Sequence, residues 1–263
     1  MKKNEGYICV FDCESIVDTQ LVRRLYDFKG DDYELSKQML ELYEKEQGTS
    51  FLPLPFHKII SICATLCDSF GSFIKVDKIS GDDEKSLVSN FFKIIEDYEP
   101  RLVSFNGKNY DMPLLVLRAL KYNIKASAYL SQEDKWNNYK TRYSELKHCD
   151  LLESLGGFGI RGLKLDTICS MASLPGKYDV NGSDVLELYY KNELEKIHEY
   201  CESDTLNTYM LFLKYELIKG NLSEEDYKKY LFTMSEYLKK QKKHRAYAEI
   251  FIKACEDECL RVD

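Results

Sequence analysis

Long apolar runs are missing from this chain of 263 residues. None approaches the ~18–20 residues of a membrane span, and the run after the first six residues is only about five long, short of the ~7–15 of a secretory leader core. The expected compartment is the cytoplasm, with no membrane partner. An excess of positive charge is also missing: 37 Lys and Arg against 44 Asp and Glu leave a net charge of −7. That balance argues against broad, salt-driven attraction to nucleic acid, but not against a local site where cations neutralise carboxylates. Nine cysteines form an odd, scattered set, which suits buried thiols in a reducing compartment rather than a disulfide framework. Cys63 and Cys67, like Cys255 and Cys259, have Cys-x3-Cys spacing. With four histidines in all and no cluster of them, zinc is not the expected cofactor. Internal repeats and low-complexity linkers are absent too. What remains, 44% apolar and 31% charged residues, is the make-up of a soluble globular protein with one sizeable core.

The run Tyr7-Ile8-Cys9-Val10-Phe11 reads as a buried strand, and Asp12 and Glu14 close it. Because strand side chains alternate faces, these two carboxylates point the same way and can converge on one cation. A solvent-facing acidic strand end has the same pattern. Residues 16–55 form a long connection, in which 31–46, with spaced Leu35, Met39, Leu42 and Tyr43, reads as an inserted amphipathic helix. Segments 57–68 and 71–79 read as an antiparallel hairpin. A helix over 83–98, stopped by Pro100, a strand over 101–105 and a helix over 111–122 with Pro113 in its first turn follow. Strand-helix-strand order predicts an α/β sheet covered by helices.

Beyond a looser stretch holding the single Trp136, His148-Cys149-Asp150-Leu151-Leu152 reads as a last short strand passing into a helix. Glycines at 156, 157, 159 and 162 mark a flexible connection, and a helix over 163–174 ends at Leu174-Pro175-Gly176-Lys177. From 183 onward the pattern is helical. A soft boundary near Gly220 divides the chain into a domain over 1–222 and a helical C-terminal appendage over 223–263, whose removal is expected to leave the core folded. The basic run Lys239-Lys240-Gln241-Lys242-Lys243-His244-Arg245 reads as a solvated helix face, or else as a patch that tracks phosphates.

Two further segments carry chemistry. In Phe105-Asn106-Gly107-Lys108-Asn109-Tyr110-Asp111, a carboxylate stands where a strand gives way to a helix, the rim at which α/β sheets place their sites; helix capping would use Asp111 equally well. In Tyr200-Cys201-Glu202-Ser203-Asp204, a phenol and a carboxylate four apart share one helix face. A half-buried Tyr beside a solvated Asp would look the same.

In chain order and structural slot, the three segments together resemble the DEDD superfamily of 3′–5′ exonucleases. Their wording is closest to the stand-alone bacterial proteins described as predicted polymerase-B-like 3′–5′ exonucleases, over residues 7 to about 230. Glu199 occupies the position where the His branch of that superfamily has its histidine, and His198 lies on another helix face; Tyr200 therefore points to the Tyr branch (DEDDy).

The resemblance implies a ribonuclease H-like mixed sheet flanked by helices and a 3′–5′ exonuclease acting on single-stranded nucleic acid, DNA rather than RNA. It also implies two divalent ions, Mg²⁺ or Mn²⁺, whose preference for hard oxygen donors suits carboxylates. Asp12 would bridge both ions, Glu14 and Asp204 would complete one site, Asp111 would hold the second, and Tyr200 would orient water. Asn106, Arg142 and Lys177 are candidate substrate contacts, and Asp150 a supporting residue or helix cap. A DNA polymerase or repair protein acting in trans is the implied protein partner. An exoribonuclease, or a catalytically weak binding module on the same fold, is the alternative.

Overall fold

The computed structural model describes residues 6–142, 144–157, 162–177 and 182–261. The glycine-rich connection expected near 156–162 lies partly outside the described residues.

Strand β1 (Ile8–Val17) is the centre of a five-stranded sheet. It pairs antiparallel with β2 (His57–Cys67), which pairs antiparallel with β3 (Phe73–Lys78). On its other side β1 runs parallel to β4 (Arg101–Ser104), and β4 runs parallel to β5 (His148–Asp150). The order β3-β2-β1-β4-β5 is that of a ribonuclease H-like α/β fold, three antiparallel strands followed by parallel ones. A tight turn joins β2 to β3: Asp68 Oδ1 accepts the N–H groups of Phe70 and Ser72, and Gly71 takes φ 101, which a side chain would resist.

The parallel strands need crossovers. Helices α1 (Thr19–Leu25) and α2 (Asp32–Gln47) occupy the β1–β2 connection, and α3 (Glu84–Tyr98) carries the chain from β3 to β4. Helix α2 is the inserted helix expected at 31–46, started by a capping box between Asp31 and Glu34. The seven-residue α1 was not anticipated, because two turns give too little periodicity to see. Helix α4 (Asp111–Tyr122) follows β4, with the short α5 (Ser127–Leu130) before β5. Helices α6 (Leu151–Gly156), α7 (Leu165–Met171) and α8 (Val185–Tyr190) precede the long α9 (Leu194–Ile218), α10 (Glu224–Gln241) and α11 (Ala248–Arg261).

The alternation of β1 divides the core. Cys9, Phe11 and Cys13 pack with Phe91 and Phe92 of α3 and Leu114 and Leu115 of α4, while Ile8 and Val10 pack with Leu206 and Met210 of α9. Asp12 and Glu14 continue the second face. The cluster on that face also holds Tyr227, Leu231, Met234, Leu238, Tyr247 and Phe251, so the two C-terminal helices share the core of the sheet. The nine cysteines are free thiols, and all except Cys259 are buried. Among the described residues no helix is long and apolar enough to cross a membrane.

Candidate active site

Residue Val10 of β1 pairs with Val103 of β4, so Asp12 and Glu14 project beyond the carboxyl end of β4, where open α/β sheets keep their crevice. The strand itself continues to Val17 past a register shift between Glu14 and Ser15. The two carboxylates therefore lie inside β1 and not at its end, as the apolar run had suggested. Both are half-buried, and each offers an oxygen within 4.8 Å of the other's and of the Cys201 sulfur.

Asp111 is the first residue of α4 and is buried. Tyr110, not Asp111, stands at the cap position, and the backbone N–H groups of Asp111 itself and of Cys13 on β1 partly offset the burial of the Asp111 carboxylate. The segment before it is held from below. Asp150, at the end of β5, accepts the N–H groups of Asn106 at 2.8 Å, Lys108 at 2.9 Å and Leu152 at 3.0 Å. It is thus both the cap of α6 and the anchor of the strand-to-helix turn. Asn106 takes φ 71, and a side chain at Gly107 would collide with Ser104. The Tyr110 hydroxyl lies 2.9 Å from Ser15 Oγ, which ties the turn to β1.

Helix α9 brings Tyr200 and Asp204, both buried. The phenol neighbours the Asp204 carboxylate, whose Oδ1 is buried with no partner among the described residues. Opposite stands Lys177, its Nζ 5.2 Å from the Tyr200 ring centroid. The Pro-Gly-Lys turn is fixed by Asn207 of α9, which accepts the Gly176 N–H at 3.0 Å and donates to its carbonyl at 2.9 Å. Asp166 accepts the Lys177 N–H at 2.8 Å. A pocket of about 330 Å³ lies between them, lined by Asp12, Phe105, Lys164, Leu165, Asp166, Lys177 and Asp204.

The electrostatics follow from this crowding. Burial first, then Asp111, Glu14 and Asp204, push the Asp12 carboxyl well above its ordinary range. Glu14 is raised in the same way by burial, Asp204 and Asp111, with Lys177 opposing. Burial lifts Asp111 to about 7 and Asp204 to about 6. Four carboxylates all raised by burial, two of them raised further by their neighbours in the cluster, with one buried oxygen lacking a partner among the described residues, are a donor set in want of positive charge. The donors are oxygens. Cys201 is no thiolate ligand, since burial drives its pKa up and its thiol donates to the Asp12 carbonyl at 3.4 Å. The residues present therefore fit hard divalent cations.

Of the residues expected from sequence, Asp12, Glu14, Asp111, Tyr200 and Asp204 are brought together, with Lys177 at the same pocket. Asn106 flanks them, its Oδ1 accepting from Asn109 at 3.2 Å. Arg142 is exposed and does not line that pocket; it borders a separate cavity of about 440 Å³ with Lys108, Asn109 and Glu153. His198 is a buried packing residue, 2.8 Å from Ser61 Oγ. Lys164 and Asp166 were not singled out from sequence, and nothing in their local pattern sets them apart from other surface charges.

Fold and site together define a ribonuclease H-like chain with a DEDD-type set of carboxylates. The chain belongs to the family described as predicted 3′–5′ exonucleases related to the exonuclease domain of PolB, whose model matches residues 49–255; β1, with Asp12 and Glu14, precedes the matched span. A DNA polymerase of Archaeoglobus fulgidus is 25% identical over 148 residues, 52% of this chain and 19% of that protein. The catalytic subunit of DNA polymerase epsilon from Eremothecium gossypii is 28% identical over 142 residues, 51% of this chain and 6% of that protein. This chain thus spans a small part of those relatives. The family B DNA polymerase structure from Pyrobaculum calidifontis aligns with 98% of this chain and 29% of its own, at a TM-score of 0.49 and 13% identity.

Proposed function

We propose that this chain is a Tyr-branch DEDD exonuclease that removes nucleotides from the 3′ end of single-stranded nucleic acid, DNA in preference to RNA. Two Mg²⁺ or Mn²⁺ ions would be held by Asp12, Glu14, Asp111 and Asp204. The observation that carries this reading is the convergence of four buried-site carboxylates from three elements, beside a phenol and a buried Asp204 oxygen with no partner among the described residues. When bound, such ions supply charge stabilisation for the entering and leaving oxygens of an in-line displacement.

The chain's own residues do the rest. Burial and Asp204 keep the Tyr200 phenol protonated, so it acts as a hydrogen-bonding group that orients water and not as a titrating base. Lys177 faces the cluster from the opposite wall and suits a substrate phosphate. The anchored turn at Asn106 would receive the 3′-terminal nucleotide. The DNA preference rests on the relatives, which are named DNA polymerases.

The test is a timed digestion of 5′-labelled single-stranded DNA and RNA with Mn²⁺, Mg²⁺ or chelator, comparing the wild type with Asp12→Ala. A descending, metal-dependent ladder that weakens on the order of 10²–10³-fold or more in the variant is expected. A ladder only on RNA would make the enzyme an exoribonuclease. No shortening of either polymer by folded, Mn²⁺-binding protein would leave a binding module.

A further inference from the structure

The helix that carries Tyr200 and Asp204 also carries Glu202, at 0% exposure. Glu202 stands two residues from each of them, about 200° around the helix from both. It therefore lies on the far side of α9 from the carboxylate cluster. A carboxylate withdrawn from water needs close partners. Among the described residues Glu202 has three, all from the α10–α11 connection: Lys242 Nζ at 2.9 Å from Oε1, the Tyr247 hydroxyl at 2.7 Å from Oε2, and Arg245 Nε at 3.4 Å from Oε2.

The same connection grips α9 further back. Arg245 pairs with Glu195 at 3.1 Å and Glu199 at 3.2 Å, and the Ala246 N–H donates to Glu199 at 3.4 Å. Glu195, Glu199 and Glu202 fall at i, i+4 and i+7, a single stripe of the helix. Lys242 also reaches Asp77 of β3 at 3.4 Å, so the stripe is referenced to the sheet. On its sheet-facing side α9 is held by neutral groups: His198 to Ser61 at 2.8 Å, Thr205 to Thr65 at 3.1 Å, and Cys201 to the Asp12 carbonyl at 3.4 Å.

Apolar side chains packed on a sheet tolerate small rotations, whereas hydrogen-bonded ion pairs fix direction. A rotation of about 10° at a side-chain radius of ~5–6 Å moves a carboxylate by ~1 Å, and an error of that size at a reacting centre can cost ~10²-fold in rate. Replacing a buried ionic cluster by apolar residues often costs little stability, so stability alone does not account for it. The basic run, read from sequence as a solvated face or phosphate-tracking patch, divides: Lys239, Lys240, Lys243 and His244 are exposed, while Lys242 and Arg245 turn inward.

We propose that Glu202 is a positioning residue: with Lys242, Arg245 and Tyr247 it forms an ionic clamp that sets the rotation of α9, and so the placement of Tyr200 and Asp204 at the carboxylate cluster. This rests on the function proposed above for that cluster.

The test uses the full chain and Glu202→Gln, Glu202→Asp and Tyr247→Phe, with Asp12→Ala as control. Three readouts are compared: thermal unfolding, Mn²⁺ affinity by titration calorimetry, and kcat and KM separately on single-stranded DNA at saturating Mn²⁺. Glu202→Gln is expected to unfold cooperatively, bind Mn²⁺ about 10-fold more weakly and lose about 10–100-fold in kcat with KM little changed. Glu202→Asp should recover part of both losses. Folded Glu202→Gln protein with wild-type Mn²⁺ affinity and kcat would overturn the clamp. If Glu202→Gln does not fold, Tyr247→Phe, which removes one hydroxyl, decides: a smaller loss of the same kind supports the proposal, and no loss overturns it. If the wild type binds Mn²⁺ but digests nothing, the proposed function fails while the Mn²⁺ affinities still judge the clamp; if it binds no Mn²⁺, both fall.

Discussion

At the scale of single residues, Asp12 bears the greatest crowding, since burial and three neighbouring carboxylates all oppose its charge. Function and stability should then separate. Asp12→Ala removes the charge without opening the core, so in chelator its melting temperature is expected to rise by a few degrees. Added Mn²⁺ should stabilise the wild type and not the variant, because only a binding state is stabilised by its ligand. Differential scanning calorimetry with and without Mn²⁺ checks both. Tyr200 makes a different prediction. Burial and Asp204 raise its pKa far beyond the working range, so Tyr200→Phe should lower kcat by roughly 10²-fold at every pH. A pH–rate profile that lost its alkaline limb in this variant would contradict the assignment.

At the scale of elements, β5 is only His148–Asp150, yet it sets the turn that carries Asp111. Asp150→Ala removes the acceptor of three backbone N–H groups, two of them outside the helix it caps. The expected cost is roughly 2–4 kcal/mol, beyond the ~1 kcal/mol of a cap alone, measurable by urea denaturation. His148 makes β5 sensitive to acid. Burial, helped by Lys108, lowers its pKa to about 3 from 6.5 in the unfolded chain. A depressed pKa gives stability that is present above 6.5 and is lost as pH falls towards 3, because the unfolded chain takes up the proton first. The physical reason is direct: His148 Nδ1 is buried without a partner among the described residues, and a proton there would have no acceptor. The decline in melting temperature from pH 7 to 5 should be shallower in His148→Gln than in the wild type.

At the scale of the whole molecule, α10, α11 and the connection between them bury Tyr227, Leu231, Met234, Leu238, Tyr247 and Phe251 in the cluster that contains Ile8, Val10 and Val103. At about 1.5–3 kcal/mol per buried side chain, these contacts match or exceed the ~5–15 kcal/mol by which a domain is stable. Removal of 223–263 is therefore expected to abolish cooperative unfolding, against the sequence-based expectation of a foldable core. Near-ultraviolet circular dichroism and a thermal melt of the truncated chain would test this; a sharp transition close to that of the full chain would refute it.

Short-range chemistry was legible in the amino-acid sequence alone. A period of two aims Asp12 and Glu14 the same way, a spacing of four aligns Tyr200 with Asp204, and the strand-to-helix passage before Asp111 marks a sheet rim. The same rules made the hairpin, the inserted helix and the crossover helix readable, because each depends on neighbours within a few residues. Only the tertiary structure decided the rest. Continuation of β1 past its register shift against β2, the grip of Asp150 on the Asn106 turn, the Asn207–Gly176 clasp, the Glu202 clamp and the shared core of the C-terminal helices join residues tens to hundreds of positions apart. A single sequence carries periodicity but no distances between remote segments, so an inward-turning Lys242 and an outward-turning Lys240 look alike until the chain is folded.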